Sequence, residues 1–277
     1  MNTPSRPRAT KIICTIGPAT DTSDMLGQLI EAGANVFRLN MSHSKHDWVR
    51  EVVFRIRRKA AELEANVAIL FDLQGPSIRT GDLAEPYHLK KGDTVEIRLG
   101  TAKPELPFST TVNYDGLLQD VQAGHTMVVD NGGILMRIAE VRPDRLICDV
   151  LTEGVFGSRR HINLPGVALR LPALTEKDLA DLAVAVECET DYVAMSFVRD
   201  AAHIAQLREH IDNLGGKAQI VAKIEDQQAV RHIDDIILAA DVIMVARGDL
   251  GIEVSIEELP IIQLRIVRHC HRLGRRC

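Results

Sequence analysis

Gln219–Glu253, QIVAKIEDQQAVRHIDDIILAADVIMVARGDLGIE, reads as strand, helix, strand, with polar chemistry where each strand stops. QIVAKI is short, β-branched and apolar, and Lys223 and Glu225 stand two residues apart at its C-terminal end. Side chains alternate along a strand, so this spacing points the ammonium and the carboxylate to the same side. QQAVRHIDDIILAA follows with Val230, Ile233, Ile236 and Ile237 at helical spacing, predicting one helix. The next strand, DVIMVA, breaks into Arg247-Gly248-Asp249-Leu250-Gly251. The glycines there permit a tight backbone beside an anion or a metal, and Asp249 adds a second carboxylate. Taken singly, Lys223–Glu225 reads as a structural ion pair and RGDLG as a turn. Together, at equivalent ends of consecutive parallel strands, they favour a divalent-metal site that handles an anion.

The same alternation runs outward in both directions. TKIICTI, ANVFRLN and NVAILFD are strands, separated by a helix from Thr22 or Ser23 to about Ala32, with Gly33 as its stop, and a helix over roughly His46 to Leu63. From about Asp82 to Leu169 the rhythm changes to short strand-like runs (DTVEIRL, HTMVVD, ILMRIAEV, RLICDVLTEG) between Gly, Pro and Asp turns, an all-β insertion. Thr175-Glu176-Lys177-Asp178 resembles a capping box, and DYVAMSF, a helix over about 201–214, and a last helix over roughly 260–273 complete six βα units. Arg38, Asn40, Asp72, Ser196, Lys223, Glu225, Arg247 and Asp249 all fall at strand C-terminal ends. A (β/α)8 barrel builds its site there from several strands, whereas an open doubly wound sheet converges on one switch point. With no G-x-G-x-x-G or Walker loop in the chain, the barrel is favoured, short of two strands.

With 277 residues, 45% hydrophobic and 26% charged, the composition is that of a soluble globular protein. A net charge of −5 argues against a general nucleic-acid surface. No run approaches a membrane span, and MNTPSRPRATK lacks the apolar centre of a signal peptide. The five cysteines show no paired spacing, which points to free thiols and a cytoplasmic location. His269-Cys270-His271 reads as a helix end with mixed faces rather than a metal site.

TKIICTIGPAT, NVFRLNMSHS, FDLQGPSIRTG, NLPG, LPALTEKD, VAKIED and MVARGDLGIE stand in the order shown by the pyruvate kinases, and from about residue 10 to 277 the chain resembles that family. The resemblance implies phosphoryl transfer from phosphoenolpyruvate to ADP with Mg2+, giving pyruvate and ATP in glycolysis. It implies a discontinuous α/β barrel domain, an incomplete TIM (β/α)8 barrel over 1–81 and 170–277, with a mobile all-β lid over 82–169 inserted after the third strand. By resemblance, Glu225 and Asp249 hold Mg2+, Lys223 stabilises the transition state, Arg38 contacts the same phosphate, and the backbone of Gly248 touches substrate. Pro18, His43, Arg79 and Arg160 lie towards the nucleotide, and Asp130 approaches the metal site when the lid closes.

Two departures matter. Asp72-Leu73-Gln74-Gly75-Pro76-Ser77 resembles the K+-independent members at Leu73 and Gln74, yet Ser77 is neither the lysine of that group nor the glutamate of the K+-dependent one. Asn40, Ser42, Asp72 and the Leu73 carbonyl are the expected K+ ligands if a site is retained. The family also continues past this sequence with two strands and a C-terminal regulatory domain, and its full-length form is a homotetramer. The chain therefore reads as a fragment, expected to be inactive alone. A metal-dependent lyase acting on pyruvate-like acids, and a paralogue that binds metabolite without turnover, are the competing functions.

Overall fold

The computed structural model describes residues 9–277; the first eight residues of the loose start lie outside them. In chain order, β1 (Ile13–Ile16), α1 (Ser23–Glu31), β2 (Val36–Asn40), α2 (His46–Glu62) and β3 (Ala68–Asp72) alternate. The chain then forms β4 (Tyr87–Leu89), β5 (Thr94–Arg98), β6 (Ser109–Thr111), α3 (Leu117–Asp120), β7 (Thr126–Val129), β8 (Ile134–Val141), β9 (Arg145–Val150), β10 (Gly154–Phe156) and β11 (Ile162–Asn163). Alternation resumes with α4 (Glu176–Glu187), β12 (Tyr192–Met195), α5 (Ala201–Asn213), β13 (Gln219–Ile224), α6 (Gln227–Arg231), α7 (Ile233–Ala239), β14 (Val242–Val245), α8 (Arg247–Glu253) and α9 (Leu259–Arg272).

β1, β2, β3, β12, β13 and β14 pair in that order, every pair parallel. Strands that follow their chain order without reversal are in barrel order; a doubly wound sheet reverses at its switch point. Both faces of this sheet are covered. Phe37, Leu39, Ile69, Phe71, Ile220 and Ile243 pack against the helices, while Leu70, Ala194 and Val221 form a small cluster on the other face. Burial on both faces explains why QIVAKI and NVAILFD read as continuous apolar runs rather than alternating ones. Beyond α9 the chain returns to the sheet edge, where Arg276 bridges Val242 in parallel and the Ile243 N–H donates to the Arg276 carbonyl at 3.0 Å.

The helix starts follow the sequence reading. The Thr22 side chain accepts from the Met25 N–H, Asp200 caps α5 through the His203 N–H, and Thr175 and Asp178 form a reciprocal capping box at α4. Gly33, just past α1, has φ 97°, the conformation that suits a glycine stop. Two expectations fail. QQAVRHIDDIILAA is two helices, α6 and α7, broken at His232, whose ring Nδ1 contacts the Arg199 carbonyl at 3.0 Å. A tertiary contact thus overrides a continuous apolar stripe. RGDLG is not an open turn: it opens α8 directly after β14, and neither Gly248 nor Gly251 adopts a positive φ.

Between β3 and α4 stands a second sheet, in the order β11-β7-β8-β9-β5-β6, beside the antiparallel β10–β4 pair. It is antiparallel except for β5 with β6. The sheet has its own core of Val95, Ile97, Leu117, Met136, Ile138 and Phe156. The runs DTVEIRL, HTMVVD, ILMRIAEV and RLICDV all become strands. The three-residue strands at 87–89 and 109–111 carry too few alternations to be visible in sequence.

Polar contacts join this unit to the parallel-sheet part through Asn163 and Leu169, and others brace the segments beside the junction. The Gly75 N–H donates to Asp178 Oδ1 at 3.0 Å, and Arg199 Nη1 donates to the Leu169 carbonyl at 3.1 Å. Asn163 Nδ2 lies 3.5 Å from Glu253 Oε1, and Gln227 donates to the Glu253 carbonyl. Burial, and then the charge of Asp226, push the Glu253 carboxyl up to about 7, against the hydrogen bonds from Asn163 and the Gly166 N–H. The folded protein then holds a proton that the unfolded chain, near 4.5, has released. The protonated form's stabilisation is therefore complete below pH 4.5 and lost as pH rises through about 7. Glu253→Gln, neutral at every pH, should match wild type near pH 4.5 and become more stable than it by pH 8, by up to about 3 kcal/mol. Urea unfolding at both pH values measures this; two curves that keep a constant offset would remove Glu253 as the cause.

Candidate active site

The strand register brings residues from five strand ends to one cavity of about 360 Å3. Arg38 and Asn40 belong to β2, Asp72 ends β3, Ser196 and Phe197 follow β12, Lys223 and Glu225 end β13, and Asp249 lies in the first turn of α8. All of these line the cavity, with Ser42, His43, Leu73, Gln74 and Ser77 from the loops after β2 and β3. The second sheet unit and its junction contribute the opposite wall through Arg79, Asp130, Asn131, Arg159, Arg160 and His161.

At the centre is a buried charge cluster. Asp72, 2% exposed, pairs through Oδ2 with Arg38 Nε at 2.6 Å and through Oδ1 with Lys223 Nζ at 3.2 Å. The second of these is an ion pair without hydrogen-bond alignment. Lys223, 11% exposed, is also 2.8 Å from Glu225 Oε1 and donates to Ser196 Oγ at 2.8 Å. Ser196 Oγ in turn donates to the Leu73 carbonyl at 2.7 Å. Burial opposes the Lys223 ammonium, but the charges of Glu225 and Asp72 outweigh it and raise its pKa above the ordinary value. Lys223 is therefore a fixed cation, not a base at neutral pH. Burial also lifts Glu225, with Asp249 adding to the rise and Lys223 opposing it. The Glu225 carboxylate has a second donor in the Phe197 N–H, 2.6 Å from Oε2.

The opposite wall is more open. Arg160 Nη1 lies 3.3 Å from Asp130 Oδ1, Arg159 pairs with Asp82 at 2.7 Å, and Arg79 Nη1 donates to the Arg159 carbonyl at 3.1 Å. Asp130 and Asn131 both sit in the left-handed region, φ 55° and 53°, as a D-N-G-G turn favours. The His161 imidazole is held below its ordinary pKa by burial and then by Arg79, against Asp249.

The cavity thus gathers twelve of the fourteen residues given a role by the resemblance: Arg38, Asn40, Ser42, His43, Asp72, Leu73, Arg79, Asp130, Arg160, Lys223, Glu225 and Asp249; of the other strand-end polar residues Ser196 lines it and Arg247 does not. Pro18, in the turn closed by the Thr20 N–H on the Gly17 carbonyl, and Gly248, in the first turn of α8, do not line it. Asn131, His161 and Phe197 were not anticipated. Asn131 was signalled by the D-N-G-G turn; His161 lies in an irregular segment, and Phe197 acts through its backbone, so neither carries a pattern. Among the described residues no group of three or more His, Cys, Asp and Glu gathers as a metal-binding cluster, and His269 is instead engaged by Asp234. All five cysteines are free.

Arg38, Lys223 and their carboxylates form a dense array of fixed charge, able to hold an anion against a cation. The family model described as pyruvate kinase, barrel domain, matches residues 7–277. Plastidial pyruvate kinase 2 of Arabidopsis thaliana is 39% identical over 275 residues, 98% of this chain and 47% of the relative. The pyruvate kinase of Clostridium perfringens (strain 13 / Type A) is 38% identical over 268 residues, covering 96% of this chain and 56% of the relative. Pyruvate kinase isozyme G, chloroplastic, of Nicotiana tabacum is 38% identical over 270 residues, with 96% and 48% covered. The chain spans about half the length of the curated relatives it matches. Its parallel sheet in barrel order, the charge cluster at the strand ends and this similarity along nearly its whole length make it a member of the pyruvate kinase family.

Proposed function

We propose that this chain carries the reaction centre of a pyruvate kinase, which moves the phosphoryl group of phosphoenolpyruvate to ADP. The observation that carries the reading is the Arg38–Asp72–Lys223–Glu225 array in one cavity with Asp249. Phosphoryl transfer asks little covalent work of a protein; it asks for alignment and for positive charge where negative charge moves. Lys223 supplies that charge at the transferring group and Arg38 on the same phosphate. Asp72, hydrogen-bonded to Arg38 and ion-paired with Lys223, keeps the two cations at a fixed separation.

Glu225 and Asp249 are the residues that would hold Mg2+. The donor set fits: they are two hard oxygen ligands lining one cavity, and Mg2+ characteristically takes one or two carboxylates plus substrate oxygens rather than an all-protein cage. When bound, the metal would act as a Lewis acid on the substrate's carboxylate and enol oxygens. Gly248 enters this reading as a backbone contact from the first turn of α8, where N–H groups lack intrahelical acceptors. His43, Arg79 and Arg160, with Pro18 further out, face the nucleotide. The β-rich unit is read as the lid over 82–169 between barrel segments 1–81 and 170–277, with Asp130 moving towards the metal on closure and water excluded. The free thiols accompany a cytoplasmic reading, although two of the relatives are named plastidial and chloroplastic.

These 277 residues by themselves are expected to bind phosphoenolpyruvate in a Mg2+-dependent way, with turnover belonging to the whole protein. Pyruvate formation by the whole protein should require ADP. Pyruvate released from a C–C bonded substrate without ADP would assign a lyase, and metabolite binding without product would assign a binding paralogue. Lys223→Met should lower kcat by at least about 100-fold while the KM for phosphoenolpyruvate changes less than about fivefold. An equal loss in both, or none, would count against Lys223 as the transition-state group.

For K+, the oxygens of Asn40, Ser42, Asp72 and Leu73 line the same cavity, but several already have protein partners. Asn40 Oδ1 accepts from the Ser42 N–H at 3.1 Å, Leu73 O from Ser196, and Asp72 from Arg38. A retained K+ site would therefore add a ligand to oxygens in use, not fill a vacant cage. We keep K+ as an activator, expected to raise the rate severalfold over tetramethylammonium; equal rates in the two salts would make these residues purely structural.

A further inference from the structure

Phe197 follows β12 in a left-handed conformation, φ 54°, which residues with a Cβ rarely adopt. Such a conformation persists only where the surroundings over-determine it. Three contacts do so here. Its N–H donates to Glu225 Oε2 at 2.6 Å. Its ring edge and the Ser196 Cβ crowd Gly75, which also has a positive φ, 69°: a Cβ there would stand 3.0 Å from Phe197 Cδ2 and 3.0 Å from Ser196 Cβ. Its ring lies 5.8 Å, centroid to centroid, from the His161 ring, tilted at 55°.

The third contact crosses from one structural unit to the other. His161 is fixed beside the second sheet: it bridges Arg79, and its carbonyl accepts from the Asp130 N–H at 3.0 Å. We propose that Phe197 is a positioning residue whose ring, seated against His161, maintains the backbone turn that aims an N–H at Glu225. The orientation of the Glu225 carboxylate then depends on where the second sheet unit sits. With His161 withdrawn, one of the three supports is lost, and the Ser196–Phe197 peptide plane, which carries that N–H, is free to rotate away from Oε2. Glu225 then keeps only Lys223, on Oε1, as an oriented partner. The inference rests on the reading of Glu225 as a divalent-cation ligand and extends it to the groups that orient that ligand.

Mn2+ titrated into the 277-residue protein, with the free ion read by its paramagnetic resonance signal, provides the test. Outer partners of a metal ligand commonly govern affinity by a factor of 10 or more, so Phe197→Ala should raise the Mn2+ Kd about tenfold. His161→Ala should raise it by a similar factor, and the double variant should be no weaker than the single ones, because both interrupt one linkage. Glu225→Gln, measured alongside, separates the two levels. A Kd unchanged in E225Q overturns the metal reading and this inference with it. A Kd weakened in E225Q but at the wild-type value in F197A and H161A overturns the positioning role alone, as do fully additive losses in the double variant. His161 is a partly exposed side chain on the outer unit, so H161A decides the matter even if F197A does not fold.

Discussion

The Asp72 carboxylate is the constraint on which the cavity depends. It ends β3, and its two oxygens hold a cation from each side, Arg38 from β2 and Lys223 from β13. Burying Asp72 and Lys223 beside a partly exposed Arg38 is expensive, several kcal/mol per buried ion before their attraction is counted, and a well-packed apolar cluster would serve stability as well or better. What the buried acid does provide is placement. Without it Arg38 and Lys223 would repel one another, and among the described residues no other carboxylate touches both. The parallel register makes the arrangement possible, because Asn40 pairs with Asp72, Asp72 with Ala194 and Ala194 with Val221, so that the ends of neighbouring strands fall at one level.

The sheet and the insert solve different packing problems. The parallel strands are covered on both faces, so their polar residues can appear only at the ends, where the backbone leaves the sheet. The second sheet has its own apolar interior, and its one deeply buried ion pair, Arg145 with Glu96 at 2.8 Å, stands apart from the cavity. Its share of the cavity comes from connecting segments: the turn after β7 and the stretch 157–161 before β11. Loops of this kind can carry function because they are relieved of core packing.

This division explains what was legible in the sequence. The long apolar runs gave the parallel strands, and side-chain alternation put Lys223 beside Glu225, as found at 2.8 Å. Polar residues at strand ends then picked out one wall of the cavity, while Arg79, Asp130 and Arg160 on the opposite wall were reached only through the family resemblance. The pairing of Asp72 with two cations was not legible, because strand order and register arise from contacts far apart in the chain. The break at His232 was hidden for the same reason, since it depends on the Arg199 carbonyl. The RGDLG segment misled because glycine suggests a turn, yet the first turn of a helix tolerates it and leaves its N–H groups free. Phe197 escaped entirely: it reads as one more apolar residue, while its contribution is a backbone N–H.

The two walls of the cavity also differ in how firmly they hold charge, and the difference follows from exposure. Lys223 and Asp72 lie where water screens little, so their geometry is fixed by strong local fields. Arg159, 75% exposed, and Arg160 pair with acids that are themselves in contact with solvent. Such pairs contribute about 0–1 kcal/mol and exchange readily. The phosphoryl transfer proposed above, in which one phosphate is gripped while a nucleotide arrives and departs, would use both kinds of cation. The strand ends supply the rigid kind, because each side chain there is anchored by a buried strand. The segments bordering the second sheet would supply the exchangeable kind, because an arginine that has only a surface partner can give it up for a phosphate at little cost.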